Sequence, residues 1–101
     1  MNLCGGLTAQ AKVATPDVQA MIDSNLQEIN SKLDAAHESL TAVEYKTQVV
    51  AGTNYIVKCK TSGEEHVHVV LFKPLPHVSD SVTVVNAKGG LSVDAGLSLS
   101  L

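Results

Sequence analysis

The side chains with the most reactive chemistry in this 101-residue sequence are two cysteines and four histidines. His66 and His68 are two residues apart, so a strand would place both on one face, where they could act as metal ligands. No cysteine or carboxylate is clearly placed as a third ligand, although the preceding run "EEH" hints at one. We therefore predict no metal and no cofactor, and we expect both histidines on a solvated face of a sheet.

Cys59 is the other candidate for chemistry, because a thiol beside His66 or His68 could act as a nucleophile. It alternates with Tyr55 and Val57, a pattern that favours a buried and unreactive thiol. The sequence contains no phosphate-binding loop and no recognisable catalytic set. We predict that the protein is not an enzyme. A small thiol enzyme that uses Cys59 is an alternative, which loss of activity in a folded Cys59→Ser variant would support.

Recognition of a partner is indicated by the stretch "QVVAGTNY", residues 48–55, which lies between two strand-like runs. Turns usually carry Asn, Asp, Gly or Pro, yet Val49, Val50 and Ala51 stand here before a glycine. Either Gly52 is a bulge within one strand, or the chain reverses there. One strand covering both runs would have ~20 residues, far beyond the usual ~3–10, so a reversal with an apolar tip is favoured. Exposed apolar tips are candidate partner-binding surfaces.

Two further segments have a similar character. In "PLPH", residues 74–77, Leu75 stands between two prolines and cannot join a regular ladder. This loop is therefore either packed on its own domain or offered to a partner. Residues 1–14 contain Gly5 and Gly6 and show no apolar periodicity, which predicts a flexible arm. In an antiparallel sheet both loops could lie at one end, within reach of the arm.

The composition predicts one folded domain over residues 1–101 with an aliphatic core, since 45% of residues are apolar and only 3% are aromatic. The net charge is -3 and all seven basic residues are scattered lysines, which argues against nucleic-acid binding. We expect no signal peptide in the start "MNLCGGLTAQAK", which lacks a cationic segment followed by an apolar run. No apolar run approaches the ~20 residues of a membrane span. We expect a cytoplasmic protein with no membrane partner.

One helix and a set of strands are expected to position these segments. Thr15 can cap a helix that starts at Pro16 and fades at residues 36–39. Its apolar stripe has spacings of four, four, three and four and consists of Val18, Ile22, Leu26, Ile29 and Leu33. These features predict one long helix.

From Leu40 the apolar period changes to two, with Val43, Tyr45, Thr47 and Val49 expected on one face. Further strands are expected near residues 55–60, 66–73 and 81–88, with Gly89-Gly90 as a turn and a weakly strand-like tail. The predicted fold class is α+β, with one helix laid across a four- to five-stranded antiparallel sheet.

The stretch "QVVAGTNY" carries the Gln-x-Val-x-Gly signature of the stefins, the type 1 branch of the cystatin superfamily, with Gln48, Val50 and Gly52 at its fixed positions. "GGLTAQAKVATPD" resembles the stefin N-terminal region, and "FKPLPH" resembles the stefin second-hairpin region. The likeness covers roughly residues 4–76. Because the three elements also come in the stefin order, the sequence resembles a stefin over most of its length.

The resemblance implies a cystatin-like fold, in which a strongly bent antiparallel sheet wraps one long helix. It also implies reversible, tight-binding inhibition of papain-like, cathepsin-type cysteine peptidases by a wedge that blocks the active-site cleft. The wedge would consist of the arm and two hairpin loops. Its peptidase-binding residues would be Leu3, Cys4, Gly5, Gly6, Gln48, Val49, Val50, Ala51, Gly52, Leu75, Pro76 and His77. Either Gly5 or Gly6 would be the glycine that approaches the cleft.

The C-terminal fifth departs from the stefin pattern, since no aromatic residue follows Phe72. This departure permits an alternative function, a non-inhibitory protein-binding module with the cystatin fold. A monomer is expected. Because a β-branched residue such as Val50 at a turn can hold strain, we also expect domain-swapped dimers when the chain is partly unfolded.

Overall fold

The computed structural model describes residues 10–78 and 81–97. Its elements are β1 (Lys12–Val13), α1 (Pro16–Ser24), α2 (Leu26–Leu33), β2 (Thr41–Val50), β3 (Gly52–Lys60), β4 (His66–Pro74) and β5 (Thr83–Leu91). The five strands form one antiparallel sheet whose spatial order follows the chain. Both helices contribute to a core on one face of this sheet. The predicted α+β class is confirmed.

The helical segment is divided at Asn25 into two short helices, where one long helix was expected. The Asn25 side chain donates a hydrogen bond from Nδ2 to the Met21 carbonyl at 2.8 Å. Its backbone N–H donates instead to the Ile22 carbonyl, three residues back, at 3.2 Å. The side chain thus takes the carbonyl that a continuous helix would use, which is the way asparagine interrupts helices.

The ends of the helical segment carry ordinary capping signals. Thr15 Oγ1 accepts a hydrogen bond from the Val18 N–H at 3.2 Å, a cap that contributes about 1 kcal/mol. Pro16 occupies the first turn, as predicted. The second helix stops at Asp34, whose φ of 54° is left-handed, so it ends before the predicted residues 36–39.

The main core lies between the helices and the sheet. Its buried members are Val18, Ile22, Ile29, Leu40, Val57, Cys59, Val67, Val69, Leu71 and Val84. The predicted helical stripe contributes to it, with Leu26 and Leu33 partly buried at its edge. Each fully buried aliphatic side chain stabilises the fold by ~1.5–3 kcal/mol.

A bulge in β2 corrects the predicted alternation of that strand. The register shifts between Ala42 and Glu44, so Val43 is an extra residue. Ala42 and Tyr45 therefore both pack against the main core, where Val43 was expected beside Tyr45. Glu44 pairs with Lys58 and lies on the opposite face.

The two ends of the sheet also differ from the prediction. Gly89 and Gly90 lie within β5 and do not form the expected turn; Gly90 has a φ of 68°. The fifth strand is β1, which belongs to the expected arm and extends its pairing through an Ala14 N–H bond to the Val43 carbonyl at 3.0 Å. The described tail, residues 92–97, forms no strand, and residues 98–101 lie outside the described part.

The sheet has a second buried surface on the side away from the helices, which we call the back face. Ile56 and Val70 lie there with 0% and 2% exposure. They pack with Leu97 from the tail and with Ala11 from the N-terminal side. A tail with few large apolar residues thus completes a small second core. Within the described ranges, no helix is long and apolar enough to cross a membrane.

Candidate functional site

The first hairpin reverses at a single residue. The register of β2 and β3 continues to the pair Val50–Gly52, so only Ala51 stands between paired residues. The reversal is therefore confirmed against a bulged single strand, and it is tighter than expected. Val49 and Val50 are 64% and 41% exposed. We call residues 48–52 the apolar tip.

Gly52 is required at this tip for two physical reasons. Its φ is 130°, a backbone conformation that side chains other than glycine rarely adopt. A Cβ at this position would also lie 2.6 Å from the Lys73 carbonyl oxygen and 2.7 Å from Phe72 Cζ. The glycine of the signature, Gly52, thus allows β4 to approach the base of the tip.

Gln48 and Asn54 connect the two strands just below the tip. They are directly opposite in the register, and Asn54 Nδ2 donates a hydrogen bond to Gln48 Oε1 at 2.9 Å. Reasoning from the sequence missed Asn54. Counting outward from a Val50–Gly52 pair would have found it, since antiparallel partners have a constant sum of residue numbers.

The second loop lies beside the apolar tip. Gly52 pairs with Pro74 in the register of β3 and β4, so residues 75–78 leave the sheet next to the reversal. The Val78 N–H donates to the Leu75 carbonyl at 2.9 Å and closes a turn. Leu75 is 40% exposed and Val78 is 68% exposed, and Pro76 and His77 are exposed as well. Leu75 is therefore displayed and not packed down. Val78 was not predicted, although an apolar residue directly after "PLPH" was a usable signal.

The N-terminal side of the chain lies along β2. Lys12 pairs with Tyr45 and Val13 with Glu44, in antiparallel register. Residues 10 and 11 therefore lie nearer to the apolar tip than β1 does. The predicted contact residues Leu3, Cys4, Gly5 and Gly6 lie outside the described residues.

Comparisons with known proteins show the family of the chain. Residues 5–89 match the family model described as the cystatin domain. The chain is 37% identical to Cystatin-A of Felis catus over 90 residues, 89% of this chain and 91% of that protein. It is 39% identical to Cystatin-A of Homo sapiens over 80 residues, 79% of this chain and 81% of that protein. The chain belongs to the cystatin family, as a stefin.

Among its stefin relatives is a Sus scrofa protein named leukocyte cysteine proteinase inhibitor 1, 36% identical over 83 residues, 82% of this chain and 80% of that protein. Members of the cystatin family are protease inhibitors and not enzymes. The match to the family model continues to residue 89, beyond the predicted limit near residue 76. The tail that covers the back face lies outside the matched residues.

Cys59 of this stefin is not a nucleophile. Its side chain is 0% exposed. Burial, assisted by the negative charge of Asp23, raises the pKa of its thiol to about 12. The thiol stays protonated at physiological pH, whereas nucleophilic cysteines react as thiolates. Together with family membership, this removes the thiol-enzyme alternative.

His66 and His68 are buried, with 7% and 2% exposure, which corrects the prediction of solvated side chains. His66 Nδ1 and His68 Nε2 are buried without a hydrogen-bond partner. In the described part of the chain, no three His, Cys, Asp or Glu side chains are grouped so that they could hold a metal. These histidines belong to the back face and lie apart from the apolar tip.

Proposed function

We propose that the chain is a reversible, tight-binding inhibitor of papain-like cysteine peptidases of the cathepsin type. The apolar tip and the loop at Leu75, Pro76 and His77 enter the active-site cleft of the peptidase. The arm residues Leu3, Cys4, Gly5 and Gly6 occupy the non-primed side of the same cleft. Family membership and the name of the porcine relative support the inhibitory activity. A cytoplasmic location remains a prediction.

The observation that carries this proposal is the convergence of exposed apolar side chains at one end of the sheet. Val49, Val50 and Leu75 are each at least 40% exposed, and the Gly52–Pro74 pair places their two loops side by side. Contiguous exposed apolar surface marks binding sites more often than scattered exposed residues do. Each of these side chains would contribute ~1–2 kcal/mol when a cleft covers it.

The hairpin geometry suits inhibition better than cleavage. A peptidase substrate lies extended across the catalytic thiol, but this chain reverses within one residue at Ala51. The ladder up to Val50–Gly52 and the Gln48–Asn54 bond hold the tip in one shape. A preformed tip loses little conformational entropy on binding. It can therefore fill a cleft without offering an extended peptide bond to the nucleophile.

Titration of the purified chain against papain, followed by hydrolysis of a fluorogenic peptide, tests the proposal. The informative variant is Val49→Asn, matched with Val13→Asn. Val13 is also an exposed strand valine, 82% exposed, but it lies in β1 opposite Glu44 and away from the tip. We expect Val49→Asn to weaken inhibition by about 5- to 30-fold, from ~1–2 kcal/mol of lost burial. We expect the Val13 variant to inhibit like the native chain.

Equal inhibition by the native chain and Val49→Asn would contradict the assignment of the tip. Absence of inhibition by a folded native chain, against papain and a second peptidase of its class, would favour the non-inhibitory binding module.

A further inference from the structure

The tail crosses the back face of the sheet. Residues 92–97, which we call the strap, follow β5 and turn through an Ala95 N–H bond to the Ser92 carbonyl at 3.1 Å. Leu97 is 6% exposed and packs with Ile56 and Val70. The Val93 carbonyl accepts a hydrogen bond from Lys58 Nζ at 2.6 Å. The strap is therefore attached at two points, one apolar and one polar.

A cluster of ionisable groups lies on the same face. Lys58 is 5% exposed and forms an ion pair with Glu44 at 3.1 Å. His68 stands between two lysines in the ladder, opposite Lys58 on β3 and opposite Lys88 on β5. The charged and titratable groups on this face of the packed elements are Glu44 and Lys46 of β2, Lys58 and Lys60 of β3, His66 of β4, Lys88 of β5 and Asp94 of the strap.

His68 is held neutral by this environment. Its side chain is 2% exposed, and Nε2 has no hydrogen-bond partner. Burial, followed by the positive charge of Lys58, lowers the pKa of His68 from its ordinary value of 6.5, and Glu44 opposes this shift only in part. A proton on His68 would place an unsolvated cation between two ammonium groups, which is unfavourable while the face is covered.

We propose that residues 92–97 are an acid-released strap, which covers the back face while His68 is neutral and detaches when His68 takes up a proton from solvent. A proton on His68 places a cation opposite Lys58, whose Nζ donates to the Val93 carbonyl, so the repulsion acts on the polar attachment of the strap. Detachment uncovers Ile56 and Val70. The proposal does not rest on the proposed function, because the back face is separate from the apolar tip.

The direction of the pH dependence follows from linkage. A depressed pKa in the closed form means that the closed form is fully favoured above about pH 6.5 and loses stability as the pH falls below it. Opening takes up one proton, so the ratio of open to closed strap rises by about tenfold per pH unit in that window. The rise ends at the pKa of His68 in the closed form.

Isoleucine-methyl NMR provides a local test, because the sequence contains only Ile22, Ile29 and Ile56. Ile56 lies under the strap, whereas Ile22 and Ile29 lie in the main core on the other side of the sheet. We expect the Ile56 signal to change between about pH 7.5 and pH 5 while the other two stay unchanged. In Leu97→Ala, the Ile56 signal at neutral pH should already resemble that of the native chain in acid.

Histidine variants identify the sensor. His68→Gln should abolish the Ile56 transition, whereas His37→Gln, a change in the loop before β2, should leave it in place. The pKa of His68 in the native chain, read from its own ring resonances, should coincide with the midpoint of the Ile56 transition, because one proton is coupled to opening. This measurement needs no variant.

Three results would overturn the proposal: an Ile56 signal that is constant with pH, a transition shared by all three isoleucines, or a transition that His66→Gln abolishes and His68→Gln does not.

Discussion

The two hairpins at the ends of β3 both reverse the chain, but with residues of different chemistry. At one end, residues 61–65 connect β3 to β4 through the run "TSGEE", the polar chemistry that turns usually carry. At the other end, the apolar tip reverses the chain at Ala51 between valines and a glycine. The polar turn forms its hydrogen bonds within its own residues, whereas the apolar tip is packed against the neighbouring strand β4.

The polar turn contains its own hydrogen-bond partners. Thr61 donates from its backbone N–H and from Oγ1 to the Glu65 carbonyl, each at 3.1 Å. The Gly63 N–H in turn donates to Thr61 Oγ1 at 3.1 Å. Residues 62–65 are exposed to water. These hydrogen bonds all join residues within the turn, so local rules suffice to predict it from the sequence.

The apolar tip depends on β4. Because Gly52 has no Cβ, the Lys73 carbonyl and the Phe72 ring can occupy the space that a Cβ would need. The hydrogen bond from Asn54 to Gln48 connects β2 and β3 at the base of the tip. Meanwhile Val49 and Val50 remain exposed, which local stability alone would not favour. This difference supports the proposal that the apolar tip is a partner-binding surface, because its residues suit neither water nor ordinary turn chemistry.

Alanine at each hairpin glycine should separate the two hairpins most strongly. Gly52→Ala introduces a Cβ 2.6 Å from a backbone oxygen at a φ of 130°. We expect a loss of about 3 kcal/mol in the free energy of unfolding, from strain and overpacking. Papain inhibition should weaken by at least ~100-fold, because both tip valines lose their position. Chemical denaturation and the papain titration measure the two effects.

Gly63→Ala is the matched control in the polar turn. Its Cβ would meet nothing nearer than Thr61 Oγ1 at 3.8 Å, an ordinary contact. We expect a change within about 0.5 kcal/mol and unchanged inhibition. Equal losses of stability in the two variants would show that the tip has no special dependence on β4.

The elements that local rules govern were predictable from the sequence. The Thr15 cap and the stripe at Val18, Ile22 and Ile29 depend on neighbours within a few residues. The reversal before β3 was predicted from the length that a single strand would have needed. The candidate site was identified through its signature, and the structure adds that Gly52–Pro74 pairing unites its two loops. Its arm lies outside the described residues.

Tertiary contacts decided what the sequence could not show. One exception was local: the Asn25 side chain donates to the Met21 carbonyl, four residues back, and divides a helix that the apolar pattern predicted as continuous. Gly89 and Gly90 have turn chemistry, yet the pairs on either side of them, Lys88 with His68 and Leu91 with His66, keep them within a strand. The partners of Leu97 could not be assigned from the sequence, because Ile56 and Val70 lie far away in the chain. Short local patterns do not encode such long-range pairings.

Domain swapping would distinguish the hinges. Val50 does not have the left-handed backbone conformation that would indicate strain, since Asp34 is the one described non-glycine residue with positive φ. The tightness of the reversal at Ala51 still makes this hairpin the candidate hinge. We expect mild heating and cooling to produce a swapped dimer, which size-exclusion chromatography would detect. In this dimer the apolar tip would have opened as the hinge, and the polar turn would have stayed closed. A strictly monomeric profile would contradict this prediction.

Removal of side-chain hydrogen bonds at each hairpin should have a moderate effect. Asn54→Ala deletes the donor to Gln48 Oε1, and Thr61→Val deletes the hydroxyl that serves Glu65 and Gly63. Each bond contributes ~0.5–1.5 kcal/mol. We expect Asn54→Ala to weaken papain inhibition by about 3- to 10-fold and Thr61→Val to lower only the free energy of unfolding. Weaker inhibition in both variants would mean that inhibition follows overall stability.

His77 should give the smallest effect on inhibition. It is exposed beside Pro76 at the margin of the two loops, whereas Val49 and Leu75 supply the apolar area. Marginal polar contacts of an interface contribute little, so His77→Ala should weaken papain inhibition by no more than about threefold. Glu64→Ala, an equally exposed change in the polar turn, should leave inhibition unchanged. A loss above about tenfold in His77→Ala would move the centre of the interface from the apolar tip to the second loop, because only buried central residues carry effects of that size.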